Sequence, residues 1–300
     1  TLGDNPRLRS TKRGAIDESV KREIPFKNAI VKNHCNTLRM NFSGNYAVEF
    51  RVFDNGMAYR FVTDKKEDNI VMGEDFAINF PANYKAHLSQ PDGFKTSYEY
   101  PYTHIDTENY AATDRMSYLP VLIETDKAYK ILISEADLFD YPCIFLKGTG
   151  KNGMQSLFPK APLAFGEDGD RSLKITKEAD YIAKTTGKRS FPWRMMVISK
   201  EDKEIIENEM VYNLSTPCVL EDYSWIKPGQ VSWEWWHDAR LYGVDFRSGY
   251  NMDSYKYYID FASRFGIPYI IMDEGWAKNT RDPFTPNSTI NLPELIQYGK

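Results

Sequence analysis

Val231-Ser232-Trp233-Glu234-Trp235-Trp236-His237-Asp238 and, further on, Tyr269-Ile270-Ile271-Met272-Asp273-Glu274-Gly275-Trp276 are the two stretches that decide the fold. The first is an aromatic, β-prone run and the second an apolar run that stops at two carboxylates. Between them Tyr255, Tyr258, Ile259, Ala262 and Phe265 recur at helical spacing, Gly266 can supply a left-handed stop, and Pro268 prevents continuation. The pattern predicts a βαβ unit with strands over 231–236 and 269–272. Polar groups at the carboxyl ends of parallel strands are how a (β/α)8 barrel or an open α/β sheet builds a site. Trp233, Trp235, Trp236 and Trp276 offer flat apolar faces, while Asp238, Asp273 and Glu274 offer acceptors, a combination suited to a sugar ring with its C–H faces and hydroxyl rim. The competing reading is a tryptophan-rich strand that only fills a core.

From about residue 20 to 215 the dominant period is two, which predicts sheets. Tyr46, Val48, Phe50 and Val52 alternate with Glu49 and Arg51, Asp54-Asn55-Gly56 interrupts, and Met57, Tyr59 and Phe61 resume. Asn-Gly between alternating runs signals a hairpin. Further strands are expected over 128–134, 143–147 and 194–199, separated by Gly, Pro and Asp-rich turns, so the region reads as a large β-sandwich. His87 and His104 are expected in polar loops without metal-ligand spacing.

Composition excludes several partners. A net charge of −4 leaves no basic face for nucleic acid, and no apolar run is long enough to span a membrane. Cys35, Cys143 and Cys218 are three widely spaced cysteines, which indicates neither a disulfide framework nor a zinc site.

The stretch Pro217-Cys218, then Glu221-Asp222-Tyr223-Ser224-Trp225-Ile226-Lys227-Pro228-Gly229 running into Trp233-Glu234-Trp235-Trp236, resembles the entry to the catalytic barrel of glycoside hydrolase family 97. Gly243-Val244-Asp245-Phe246, Tyr258-Ile259-Asp260-Phe261-Ala262 and Asp273-Glu274-Gly275-Trp276 carry the likeness forward. Upstream it reaches Tyr46 to Phe61, Tyr98-Glu99-Tyr100, Ser134 to Leu138 with Tyr141-Pro142, and Phe191-Pro192-Trp193-Arg194. The resemblance implies a β-sandwich domain over residues 1–215, a linker over 216–230, and over 231–300 the first βαβ unit of a (β/α)8 catalytic barrel. A whole barrel needs about 250 residues, and Val231 to Lys300 supplies 70, so the barrel is expected to be cut short and this portion alone to be inactive.

The family further implies an oligosaccharide substrate, a periplasmic or secreted setting, and a calcium ion held by a sandwich glutamate together with barrel glutamates. Glu99 is similar to that glutamate. Glu135, in the acidic cluster Ser134 to Asp137, is the rival, with hydrogen bonding at a strand end as its ordinary role; Arg194 is a candidate to pair with one of these acids, and Trp193 to pack between the domains. Glycoside hydrolysis needs two carboxyl groups flanking the scissile bond. Asp273 and Glu274 are neighbours on one strand and point to opposite faces, so they are not that pair. By the resemblance the nucleophile and the acid/base lie beyond Lys300, which leaves Trp236, Asp238, Asp273, Glu274 and Trp276 as substrate-recognition residues. The short connection from Asp238 to Met252 resembles the retaining α-galactosidase branch. The alternatives are the inverting α-glucosidases of the same family and a non-catalytic carbohydrate-binding module.

Overall fold

The computed structural model describes residues 2–24, 26–169 and 172–300. They divide into two compact units, one of Thr1–Pro162 with Glu178–Leu220 and one of Leu163–Lys177 with Glu221–Lys300.

The first unit is built on a large antiparallel sheet. Its strand order among the described residues is Leu8–Lys21, Ile30–Phe42, Tyr46–Phe53, Gly56–Asp64, Trp193–Ser199, Lys130–Ala136, Tyr118–Glu124, Lys85–Ser89 and Tyr102–Asp106, with Lys188–Ser190 also paired to Gly56–Asp64. Tyr46–Phe53 and Gly56–Asp64 form the hairpin that the alternation predicts. The tight loop is Asp54-Asn55, with Phe53 opposite Gly56, and a Cβ at Gly56 would lie 2.3 Å from the Met196 carbonyl oxygen of the next strand. A glycine is therefore required by close backbone approach as well as by the turn.

A smaller sheet of Phe145–Gly148, Gly153–Leu157 and Ala77–Asn79 covers one region of the large one. Leu88, Val121, Ile123 and Ile133 of the large sheet share a buried cluster with Leu146 and Met154 of the small one and with Phe76, Phe80 and Tyr110. This is a sandwich of unequal sheets, and each large apolar side chain buried there contributes about 1.5–3 kcal/mol. The expected strands over 128–134, 143–147 and 194–199 are present as Lys130–Ala136, Phe145–Gly148 and Trp193–Ser199. The two histidines correct the loop expectation: His87 faces His104 across paired strands, Nδ1 to Nδ1 at 2.6 Å, because Ala86 and Leu88 turn inward and make their segment a strand.

In the second unit Val231–Trp233 pairs in parallel with Tyr269–Ile271, with Val231 opposite Tyr269. The helix Met252–Arg264 lies between them in sequence. Asn251 caps its start, the side chain accepting from the Ser254 N–H at 3.0 Å. Its end closes as predicted at Gly266, whose φ is +67°; the Ile267 N–H reaches the Ala262 carbonyl and the Gly266 N–H the Ser263 carbonyl, the paired bonds of a Schellman stop. Tyr255, Tyr258 and Ala262 form the buried face. A second helix, Leu292–Tyr298, is capped by Asn291, and Tyr255, Ile290 and Leu295 make the small core.

Two expectations need correction. The first strand ends at Trp233 rather than Trp236, because the backbone turns there: the Asp238 N–H bonds the Trp235 carbonyl, the Ala239 N–H bonds the Glu234 carbonyl, and Asp238 and Ala239 both adopt positive φ. The second strand stops at Ile271, one residue early. What the described residues form is an α/β segment, without a closed barrel. Among them no helix is long and apolar enough to cross a membrane.

Candidate functional site

The parallel pairing brings the ends of the two strands together, and one buried acid organises the junction. Glu234 is 2 % exposed. Period two explains its direction, since Ser232 and Glu234 share the buried side of the run. Its Oε1 accepts the Tyr255 hydroxyl at 2.9 Å and the backbone N–H of Asp273 at 2.7 Å. Burial, then the Glu234 carboxylate, pushes the Tyr255 hydroxyl above its ordinary range, so it stays protonated and donates. Among the described residues Glu234 Oε2 and the Tyr258 hydroxyl are buried without a hydrogen-bond partner.

Asp273 is fixed at a second point, for Trp233 Nε1 donates to its Oδ2 at 2.8 Å. Glu274 is half-buried beside it. Tyr250 looks onto the same group of acids: burial raises its hydroxyl first, and the Glu234, Glu274, Asp238 and Asp273 carboxylates raise it further. Gly275 is what lets that ring approach, since a Cβ there would meet Tyr250 ring carbons at 2.8–3.0 Å and its φ is +91°. Asp238 stands in the left-handed turn, exposed, with its Oδ2 2.8 Å from Arg240. Trp236 is 77 % exposed and tilts against Trp233, ring centroids 5.4 Å apart. Trp276 is half-buried and packs on the cluster of Tyr255, Ile290 and Leu295, so part of its surface serves the core.

The structure therefore brings Asp273, Glu274 and Asp238 near Tyr250 and Glu234, two residues to which the sequence pattern gives no role, with Trp236 resting against Trp233. The alternation Ser232, Glu234 carried the signal for Glu234. Nothing local marked Tyr250, whose place depends on Gly275.

In the first unit Glu99 lies on a loop, as expected, and is exposed. Aromatic contacts pin that loop: Tyr98 sits at φ +59°, its ring edge-on to Tyr118 at 5.1 Å, and the Tyr118 hydroxyl donates to the Tyr98 carbonyl at 2.6 Å. One exposed carboxylate can be a calcium ligand but is not a calcium site, and among the described residues no group of three His, Cys, Asp or Glu side chains is placed to hold a metal ion. Glu135 is committed elsewhere. Arg194, 2 % exposed, makes a two-pronged contact with Glu74, Nε to Oε1 and Nη2 to Oε2 both at 2.7 Å, and Nη1 reaches Glu135 Oε2 at 2.5 Å. Tyr141 donates to Glu74 at 3.0 Å and the Ile144 N–H approaches Glu135 at 3.4 Å. Burial pushes the Glu135 carboxyl up, with Arg194 pulling the other way. The expectation of an Arg194 ion pair and of a strand-end role for Glu135 holds. Trp193 corrects the expectation placed on it: it is 1 % exposed in the core of the first unit, among Ala58, Ala136, Met195 and Val197, with the Arg51 and Arg60 guanidiniums over its ring.

Residues 1–217 match the family described as Glycosyl-hydrolase 97 N-terminal, and residues 233–300 match Glycoside hydrolase 97. The chain belongs to glycoside hydrolase family 97. A curated relative from Bacteroides thetaiotaomicron, named Retaining alpha-galactosidase, is 37% identical over 99% of this chain and 46% of its own length. Another, from Streptomyces bingchenggensis and named Probable retaining alpha-galactosidase, is 27% identical over 92% of the chain and 40% of its own length. The family 97 chain thus spans less than half the length of these relatives. Among solved structures, a family 97 enzyme from Pseudoalteromonas in complex with acarbose superposes with a TM-score of 0.79 at 20% identity, over 98% of this chain and 44% of that one. A beta-arabinopyranosidase gives 0.77 at 21%, over 98% and 45%. At such identities these two speak for the fold alone.

Proposed function

We propose that this chain supplies the substrate-recognition part of a retaining α-galactosidase. The observation that carries the reading is the 37% identity to a relative of that name along 99% of the chain. The geometry supports it. Asp273, anchored by Trp233 and by Glu234, keeps Oδ1 for an outside donor, Glu274 and Asp238 stand beside it, and Trp236 gives a broad exposed face. Carboxylates accept from sugar hydroxyls while an indole face covers C–H bonds.

Asp273 and Glu274 follow one another just past the end of the second strand, and on the family reading the nucleophile and the acid/base are assigned to further barrel residues of the full protein. Glu99 is proposed as one ligand of a calcium ion completed by carboxylates outside this chain; when bound, such an ion polarises oxygen atoms near the bond being broken. A periplasmic or secreted setting follows from the same reading.

Nitrophenyl α-galactoside and α-glucoside assayed side by side on the full-length protein, with the first-formed anomer followed by NMR, test the proposal. Faster α-galactoside cleavage with retention is expected. Faster α-glucoside cleavage with inversion would move the protein to the other branch of the family. For the metal, Glu99→Gln in the same protein should weaken calcium binding measured by titration calorimetry; unchanged binding would remove Glu99 from the ligand set.

A further inference from the structure

We propose that Glu234 is a positioning residue for Asp273, so that the last residue of one strand and the residue after it fix, at both ends, the sugar-binding carboxylate that follows the next strand. The inference rests on the reading of Asp273 as a hydroxyl acceptor.

Strand pairing puts Trp233 opposite Ile271, and Trp233 and the residue after it are the ones that bond across to Asp273. Glu234 Oε1 takes the Asp273 backbone N–H at 2.7 Å, which sets where the Asp273 Cα stands. Trp233 Nε1 takes Oδ2 at 2.8 Å, which sets the plane of the carboxylate. With main chain and one oxygen held, Oδ1 has a single direction.

Glu234 is in turn held from behind. Its second donor is the Tyr255 hydroxyl at 2.9 Å, and Tyr255 is 1 % exposed in the core with Ile290 and Leu295. A chain of support runs from the helix Met252–Arg264 through Tyr255 and Glu234 to the backbone of Asp273. Burial keeps Glu234 from the sugar: it is 2 % exposed, its Oε1 takes two protein donors, and its Oε2 is buried without a partner among the described residues. Its effect is exerted through Asp273, where a misplacement of about 1 Å costs on the order of 100-fold.

The test uses the complete enzyme and compares Glu234→Gln, Glu234→Leu and Trp233→Phe, alone and with Asp273→Ala. Glu234→Gln keeps an acceptor oxygen and should stay within about 3-fold of the wild-type KM for nitrophenyl α-galactoside, whereas Glu234→Leu should raise it on the order of 100-fold. Trp233→Phe, which removes one N–H and keeps an aromatic ring, should raise KM about 10-fold and carries the test if Glu234→Leu does not fold. In the Asp273→Ala background each further substitution should add less than about 3-fold, because coupled sites are not additive. Losses that multiply in that background, or a folded Glu234→Leu with unchanged KM, would overturn the positioning role. If the wild type cleaves neither nitrophenyl glycoside, the glycosidase reading fails first, and galactose affinity by titration calorimetry then replaces KM. A wild type that neither cleaves nor binds the sugar overturns both.

Discussion

Replacing Arg194 by methionine keeps a long apolar stem and removes the guanidinium, and the consequence can be worked out from its partners. Glu74 loses two bonds of 2.7 Å and Glu135 one of 2.5 Å, while their side chains remain only 12% and 11% exposed. Removing one partner of a buried pair costs about 3–5 kcal/mol, because the remaining charge is uncompensated. For a unit of this size that lowers the midpoint of thermal unfolding by roughly 6–20 °C. The pH dependence has a definite sign. Burial already raises the Glu135 carboxyl above its ordinary value, and Arg194 opposes the rise. Without Arg194 the folded state binds protons more tightly than the unfolded chain, so stability falls as pH rises above the ordinary carboxyl range and recovers on acidification towards it. The loss relative to wild type should therefore shrink from pH 7 to pH 5. Urea unfolding followed by tryptophan fluorescence at both pH values measures this. A loss below about 1 kcal/mol at pH 7, or one that grows on acidification, would refute the uncompensated-charge argument.

The glycines and one tyrosine give sharper contrasts. Gly148→Ala would place a Cβ 1.9 Å from the Tyr110 carbonyl oxygen and should cost more than about 3 kcal/mol, whereas Gly150→Ala, with φ +68° but no atom nearer than 4.0 Å, should cost only about 1–2 kcal/mol in parallel melts. Gly275→Ala should cost about 2 kcal/mol, and Tyr250→Ala in the same chain should restore part of it, since the Tyr250 ring is the atom group struck; no restoration would put the cost in φ alone. Tyr258→Phe should leave the melting temperature unchanged or slightly raised, because it removes a buried hydroxyl that has no partner among the described residues.

Period-two alternation was enough to read the sandwich. Residues 46–62 need only the alternation that puts Val48 opposite Phe61 and Phe50 opposite Tyr59 to fix a hairpin, because a one-residue slip would turn every side chain to the other face. The helix Met252–Arg264 was legible to within a few residues for a similar reason: its cap, its apolar stripe and its glycine stop are all local. Where the reading failed, the deciding contact was distant in sequence. The sequence pattern places His87 in a polar loop, yet its strand is defined by pairing to residues 102–106 and 118–124. The sequence pattern places Trp193 at a domain joint, whereas its surroundings come from Ala58, Ala136 and the guanidiniums of Arg51 and Arg60, well before it in the chain.

The site divides along the same line. Acids and tryptophans at strand ends can be counted in the sequence, and Asp273, Glu274, Asp238 and Trp236 do gather at one end of the parallel pair. Which acid is a tool and which a support cannot be counted, because Glu234 and Asp273 are the same kind of group one strand apart. Burial and donors separate them. Glu234, 2 % exposed, takes a tyrosine hydroxyl and a backbone N–H on one oxygen and keeps the other buried without a partner among the described residues, whereas Asp273, only partly buried, is held through one oxygen and its own backbone, the arrangement on which its proposed role as a hydroxyl acceptor rests. The aromatic run in which Glu234 lies reads as strand throughout, yet the chain leaves the sheet at Trp233, and it is this early departure that lets Glu234 and Trp233 reach one residue from two directions. The short strand is thus part of how the site is made: a ladder continued to Trp236 would have bound the Asp273 N–H to a main-chain carbonyl and left Glu234 with one donor fewer to hold.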